Sequence, residues 1–579
     1  MLGDCLTSWP RAPVAMWGGD ETALTLCFTD GVATWVDGEI DYRIRTQIDH
    51  AVAGPDGNIY ATQAGRILCL DGDPLSARDV TDSFGGPAAP DGRVVLGSGG
   101  QVYIQGCRSY RRLAGGFAQL PADDEPDPLL PPVADLFGNL WSLGNGTSHA
   151  LVLPADRPDR WNRIDLSAGT WTDLVVDHLG FLWIAGPCGA RRFPPRSEQA
   201  TWQTPDGIAA DATVSALGLS PDGLPWLGLE TGDLLELDID AEGVTHERRL
   251  GHVPAPPRCL HTDTQGILWV ATDDGLYRDA SAADDRHENW VAKPGRLPGG
   301  GNHDIFSVAV QNQLFVAGGL SRFWGYPTSQ HVFDELFRYD PDSGCWEIVH
   351  QMSFPRRYNG IAEMDGRVWI IGGEGELGER GGEVTTLDVV DIYDPASNTW
   401  ATGPRLNQVR TDPFVVRSGD RIWAIGGACD ATTKLQTAES IGRDETSWRP
   451  EPDLPIPARE GGCCAFNGVV YCASDDGFFA FDTGTGQWDV HVPTPEVLVK
   501  APLMASYRSE IWMMGGARQD RTQIYDPRSK TWRNGPRLPT QQSWGGAAVL
   551  EGRLYITGGA HRSERHDLTI YDDRTWVLR

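Results

Sequence analysis

The chain of 579 residues carries 49 basic and 79 acidic side chains, and its net charge of -30 splits into -20 over residues 1–300 and -10 over residues 301–579. Both halves should repel nucleic acid and anionic membranes at long range, which excludes a generic nucleic-acid-binding surface. No stretch approaches the ~18 consecutive apolar residues of a transmembrane helix, and Gly plus Pro account for 109 residues, so short elements and many turns are expected.

The first twenty residues, MLGDCLTSWPRAPVAMWGGD, have no basic segment followed by an apolar run, so no secretion signal is expected and a cytoplasmic location is. From there to about residue 295 one pattern recurs: a Gly-turn, an apolar strand and a second Gly-turn. Its copies read PDGNIYATQAGRILCL, PDGRVVLGSGGQVYI, LFGNLWSLGNGTSHALV, HLGFLWIAGPCGARRF, PDGLPWLGLETGDLLEL and TQGILWVATDDGLYR, with a weaker one at GGDETALTLCFTDGVATWV. The first-turn glycines Gly57, Gly92, Gly138, Gly180, Gly223 and Gly266 lie 35, 46, 42, 43 and 43 residues apart. Trp141, Trp183, Trp226 and Trp269 keep the same beat. The last copy resembles the propeller repeats of two-component sensor proteins and, less specifically, the streptogramin-lyase type. Seven copies imply a seven-bladed β-propeller over residues 1–295. The Pro- and Gly-rich stretch Lys293–Gly301 reads as a linker, and Trp290 as part of the last N-terminal repeat.

A second repeat follows. A glycine doublet ends a short apolar strand at Gly318-Gly319, Gly372-Gly373, Gly426-Gly427, Gly515-Gly516 and Gly558-Gly559; a sixth copy places Ser474 and Asp475 there. After each doublet comes an apolar strand, often closing on Tyr-Asp, and then a tryptophan: Trp346, Trp400, Trp448, Trp488, Trp532 and Trp576. RYDPDSGCW, IYDPASNTW and IYDPRSKTW resemble the kelch repeat. Six copies imply a six-bladed kelch β-propeller over residues 296–579. The fold expected for the whole chain is therefore all-β: two β-propellers in tandem, about seven blades and then six. Period-2 strands between turn residues agree with it, since a lone blade cannot bury both faces and a ring of blades can.

Motifs for chemistry are missing. The sequence has no GxSxG, HExxH, GxxxxGK[ST] or EF-hand spacing, and its 11 cysteines contain no CxxC pair. No metal site and no cofactor are expected, and the cysteines read as small buried hydrophobes in a reducing compartment. His50, His178 and His261 lack a matching carboxylate set.

One constellation points to binding. Fifteen residues before each doublet, where the innermost strand opens, stand His303, Arg357, Thr411, Arg459, Lys500 and Ser543, with Arg410 and Gln542 beside two of them. The long loops after the first two doublets add Trp324, Tyr326, Glu374 and Glu376 to the same end. A cationic floor with an aromatic rim suits a carboxylate, a phosphate or an acidic peptide, which Arg grips bidentately; the competing reading is that these arginines brace neighbouring blades. The leading functional expectation is a recognition or scaffold protein that binds a protein partner or an anionic small molecule at this funnel. The alternative is an isomerase, cyclase or lyase acting there on an anionic small molecule without a redox cofactor, with Glu374, Glu376 or His303 as acid or base.

Overall fold

A computed structural model describes residues 301–579 except 323–329, 342–343, 354, 377–383, 490 and 564–567, together with strands and some of their connections between residues 15 and 298. The described residues form strands, turns and loops with no α-helix among them, so the all-β expectation holds. They fall into two compact units, one up to Asp285 and one made of most of the chain from Arg286 onward.

In the first unit the described strands make seven antiparallel sheets of three or four strands. Trp141, Trp183, Trp226 and Trp269 are all buried, as their common beat requires. Two of them show how the repeat satisfies a buried indole. Trp183 donates to Asp177 at 2.7 Å and Trp226 to Glu236 at 2.7 Å. Asp177 also accepts from the Phe181 amide at 3.0 Å, so one carboxylate holds both the turn and the tryptophan.

Asp173, on the first strand of a three-stranded sheet of this unit, accepts the amides of Leu174 and Leu217 at 2.9 and 2.8 Å. Burial nevertheless pushes its carboxyl up from 3.8 to about 6, against the lowering effect of those two amides. The folded chain therefore holds this proton more tightly than the unfolded chain. The group's contribution to stability is present at acid pH and lost as pH rises from 3.8 through about 6. Asp173→Asn should flatten that part of the profile: between pH 4.5 and 7 the first unit's thermal midpoint should fall less in the variant than in wild type. Parallel profiles would contradict this.

The second unit contains six four-stranded antiparallel sheets. In the first, Ser307–Val310, Gln313–Ala317, Glu335–Asp340 and Cys345–Gln351 lie side by side in chain order. The first strands of successive sheets neighbour one another, and the strand Gly546–Leu550 of the last sheet neighbours Ser307–Val310 of the first.

The last sheet differs from expectation. Its strands run Gly546–Leu550, Arg553–Thr557, Thr575–Leu578 and then Trp290–Ala292, with Trp290 opposite Leu578 and Ala292 opposite Trp576. Trp290 thus completes the last sheet of the second unit and does not belong to an N-terminal repeat. Trp576 stands on the third strand, whereas Trp400 and Trp532 sit on fourth strands opposite Tyr393 and Tyr525. The segment LTIY, Leu568–Tyr571, which reads as a third strand, pairs instead with Ala560–Ser563 as a separate hairpin.

The doublets stitch neighbouring repeats. At Gly372 and Gly373 φ is +61° and +100°, values that L side chains adopt only with strain. A Cβ on Gly372 would meet the Arg410 carbonyl oxygen at 2.6 Å. The space is needed because the Gly373 amide donates to that same carbonyl, in the next repeat, at 2.8 Å. Gly319 donates in this way to Arg356 at 2.9 Å, Gly427 to Ala458 at 2.9 Å and Gly516 to Gln542 at 2.7 Å. Gly559, in the last repeat, donates to Asn302 of the first at 2.7 Å. The copy without a doublet closes as a tight hairpin, with Ser474 opposite Gly477, and so has no wide connection to open.

The tryptophans add a second stitch. Trp448, Trp488 and Trp532 donate from Nε1 to the carbonyls of Pro404, Pro452 and Pro493 in the preceding repeats, at 2.8, 3.1 and 2.8 Å. Trp346 donates to Thr575 Oγ1 at 2.9 Å. Burial is uneven: Trp290, Trp346, Trp448 and Trp576 are buried, while Trp400, Trp488 and Trp532 stay partly exposed.

Candidate functional site

The sequence-selected positions stand three or four residues before the first strands of the six sheets. His303 bridges to Leu320, Thr411 to Ala428 and Ser543 to Ala560, and Arg357 pairs with Glu374, all at the end of the sheets that carries the doublets. The residue that follows each of them is unusual. Asp304, Tyr358, Asp412, Glu460, Ala501 and Trp544 all have positive φ, at 61°, 53°, 52°, 53°, 52° and 52°. Bulky residues rarely hold this conformation. Backbone hydrogen bonds between adjacent repeats hold them here: Tyr358 donates to Asp304, Asp412 to Tyr358, Ala501 to Glu460 and Trp544 to Ala501, at 3.1, 3.0, 2.7 and 3.3 Å. The Ile305 amide donates to Trp544 at 3.2 Å, joining the last repeat to the first.

These six residues line a small pocket, open at its mouth, with room inside for about one water-sized group. Three acidic residues, Asp304, Asp412 and Glu460, are among its lining, and no Lys, Arg or His is among the described lining residues. Counting repeats one residue short missed Asp304, Asp412 and Glu460. The signal was present in the sequence as three acids and two aromatics at one repeat position.

The cations stand around the pocket, paired with acids. Arg357 donates to Glu374 from Nε at 2.7 Å and from Nη2 at 2.6 Å, and its Nη1 lies 3.8 Å from Asp304. Burial alone would lower the Arg357 pKa; Glu374 leads the neighbours that outweigh it and hold the guanidinium above its ordinary value. Lys500 reaches Glu460 at 2.5 Å and lies over the Trp544 ring. Arg459 donates to the Ala431 carbonyl at 3.1 Å and lies 3.6 Å from Glu460. His303 shares a 2.6 Å hydrogen bond with Asp304, and its ring packs against Tyr571.

Arg410 and Gln542 are not in the pocket. The Arg410 side chain is 2% exposed and donates to Glu439 at 2.9 Å and to the Gly426 and Thr437 carbonyls, each at 2.8 Å. Gln542 is buried and donates to the Gly558 carbonyl, as Asn302 does to Gly318. Both act as braces: each ties the start of an innermost strand to the doublet of its own sheet. Trp324 and Tyr326 lie outside the described residues, and of Glu376 the structure describes the backbone strand alone.

Asp412 differs from the other acids. It is 6% exposed, and no hydrogen bond or ion pair joins its carboxylate to another described residue. Burial first, then the nearby Asp304 and Glu460, raise its pKa well above the ordinary carboxylate range, despite the opposing pull of Arg459. Among the described residues no group of three or more His, Cys, Asp or Glu is placed to hold a metal ion.

The comparisons with known proteins agree with the kelch reading of the C-terminal region. A family model described as "Kelch motif" matches residues 355–407. Alpha-scruin of Limulus polyphemus is 23% identical over 248 residues, 42% of this chain and 24% of its own length. Kelch-like protein 35 of Mus musculus is 24% identical over 298 residues, 51% of this chain and 40% of its own. Kelch-like protein terF of Aspergillus terreus is 24% identical over 280 residues, 44% of this chain and 60% of its own. The chain thus spans between a quarter and three fifths of the length of these relatives. Its C-terminal region carries kelch repeats.

Proposed function

We propose that the protein is a recognition scaffold built of two β-propellers in tandem, about seven blades of the two-component-regulator type and six kelch blades. Its kelch unit docks a protein partner on the end of the sheets that carries the glycine doublets. The observation that carries this reading is how the polar groups of the repeat are spent. Arg410, Gln542 and the N–H groups of Trp346, Trp448, Trp488 and Trp532 are bonded within or between repeats, and Arg357 and Lys500 are paired with carboxylates. The axial pocket and the loops around it remain at that end, and loops on a rigid frame are where binding residues concentrate. The kelch relatives support the same reading.

The paired cations weaken the case for an anionic ligand. An incoming carboxylate or phosphate must displace Glu374 or Glu460 from its partner, at the cost of a charge-assisted hydrogen bond. A cytoplasmic location fits the free thiols: Cys463 and Cys472 stand directly opposite each other on paired strands and are not joined.

The test is site-specific photocrosslinking in the native host. A photoreactive residue replaces Thr432, exposed on the loop after the third doublet, or Ser529, exposed on a turn between third and fourth strands. Crosslinks to another protein at 432 and none at 529 are expected. Crosslinks at 529 alone, or at neither position, would overturn the proposed face.

A further inference from the structure

We propose that the axial pocket seats a primary ammonium group, the tip of a lysine side chain from the protein partner, with Asp412 as its counter-charge. This inference rests on the recognition reading above and adds the chemistry of the partner.

Three observations lead to it. The described residues lining the pocket include three acids and no base, although Arg357, Arg459 and Lys500 stand around it. Glu460 already has Lys500, and Asp304 has His303 and the more distant Arg357. Asp412, 6% exposed, has no hydrogen-bond or ion-pair partner among the described residues. Its oxygens are not among the fully buried atoms that lack a partner, so they reach open space and are satisfied by whatever enters it. Trp544 Nε1 is also buried without a hydrogen-bond partner, so the pocket offers one donor as well, while Asp304 already has His303, Tyr358 and Arg357 around it.

The occupant follows from charge and shape. An anion would meet Asp304, Asp412 and Glu460 with no free cation facing it. A metal ion finds no adequate ligand set among the described residues. A lysine brings a compact, strongly hydrated charge on an apolar stem. Its ammonium would reach Asp412, and its methylenes would lie against Tyr358, Trp544 and Pro502. Asp412 holds a proton more tightly than an ordinary carboxyl, so binding the cation releases that proton to solvent. The charged and titratable groups around it are Asp304, Glu460, Glu374 and Arg459, with Tyr358, Arg357, His303 and Lys500 beyond them.

The experiment titrates the full chain in phosphate buffer with n-butylammonium, with the pentapeptide Gly-Gly-Lys-Gly-Gly and with butyrate, following tryptophan fluorescence. Butylammonium and the peptide should bind and butyrate should not. The peptide should bind at least tenfold tighter than butylammonium, since its backbone meets the rim. Peptide affinity should rise with pH, by up to tenfold per unit while Asp412 is protonated in the free protein. Asp412→Asn should weaken the peptide at least tenfold and flatten the pH profile. Asn tolerates positive φ, so this variant should keep the wild-type thermal midpoint or exceed it. If it does not fold, the wild-type pH profile decides: affinity independent of pH overturns the proposal. Butyrate binding as tightly as butylammonium, or unchanged peptide affinity in Asp412→Asn, also overturns it. Butylammonium binding as tightly as the peptide would assign the pocket to free amines and overturn the partner-lysine assignment. Thr432 crosslinks that persist while every amine fails to bind would sink this inference and leave the recognition reading standing.

Discussion

Arg410→Ala should destabilise the kelch unit by about 3–5 kcal/mol, the usual cost of leaving one half of a buried ion pair without its partner. Arg410 and Glu439 are each 2% exposed at the side chain. Glu439 also accepts the Asn407 amide at 2.8 Å, and Arg410 also donates to Thr437 Oγ1 at 3.0 Å. Removing the guanidinium would leave a buried carboxylate and two carbonyl oxygens short of donors. Arg410→Met keeps the bulk and should cost nearly as much, which separates lost polar partners from lost packing. The measurement is urea unfolding of both variants, read at the kelch unit's transition. Wild-type midpoints would show that the brace contributes nothing.

Trp290→Ala should cost about 3–5 kcal/mol, the range for truncating a fully buried aromatic. Trp290 is 1% exposed and packs with Trp576, Leu554 and Ile556 of the last repeat. The strand Trp290–Ala292 lies nearly the whole length of the kelch unit away in sequence from its partner Thr575–Leu578. Its loss therefore exposes the edge of the last sheet as well as leaving a cavity. Trp400→Ala should cost less, because Trp400 is only partly buried. Equal shifts for the two, or a smaller one for Trp290, would contradict the pairing. Hydrogen exchange offers the same check, since the Val577 amide should lose protection in Trp290→Ala.

Local repetition made much of this legible. The doublets, the Tyr-Asp strands and the tryptophan beat mark five of the six kelch sheets, because each sheet is one repeat of strand and turn signals. The sixth escaped for a physical reason. Its outer strand comes from residues 290–292, and pairing across nearly three hundred residues leaves no local periodicity. Trp576 kept the spacing while standing on a different strand, since the hairpin of Ala560–Ser563 and Leu568–Tyr571 occupies the place of the usual Tyr-Asp strand.

The site was legible by position and misread by charge. Counting back from the doublets reached His303, Arg357, Arg459 and Lys500. At the next residue, where φ is positive, a different set lines the pocket, and that sign is not written in composition. Arg410 and Gln542 were a residue early, where the side chain meets its own sheet's doublet. Whether a cation is free depends on which acid faces it, and Glu374 and Glu460 reach theirs only in the folded ring.

The most direct test of this account is the double variant Arg357→Ala with Arg459→Ala, measured for thermal midpoint and for binding of citrate and inorganic phosphate. The account holds that these cations are spent on Glu374, Glu460 and the Ala431 carbonyl. It predicts a kelch-unit midpoint lowered by several degrees, at ~2–4 °C per kcal/mol for a domain of this size, and no binding of either anion in wild type or variant. An unchanged midpoint, with anion binding present in wild type and lost in the variant, would contradict it.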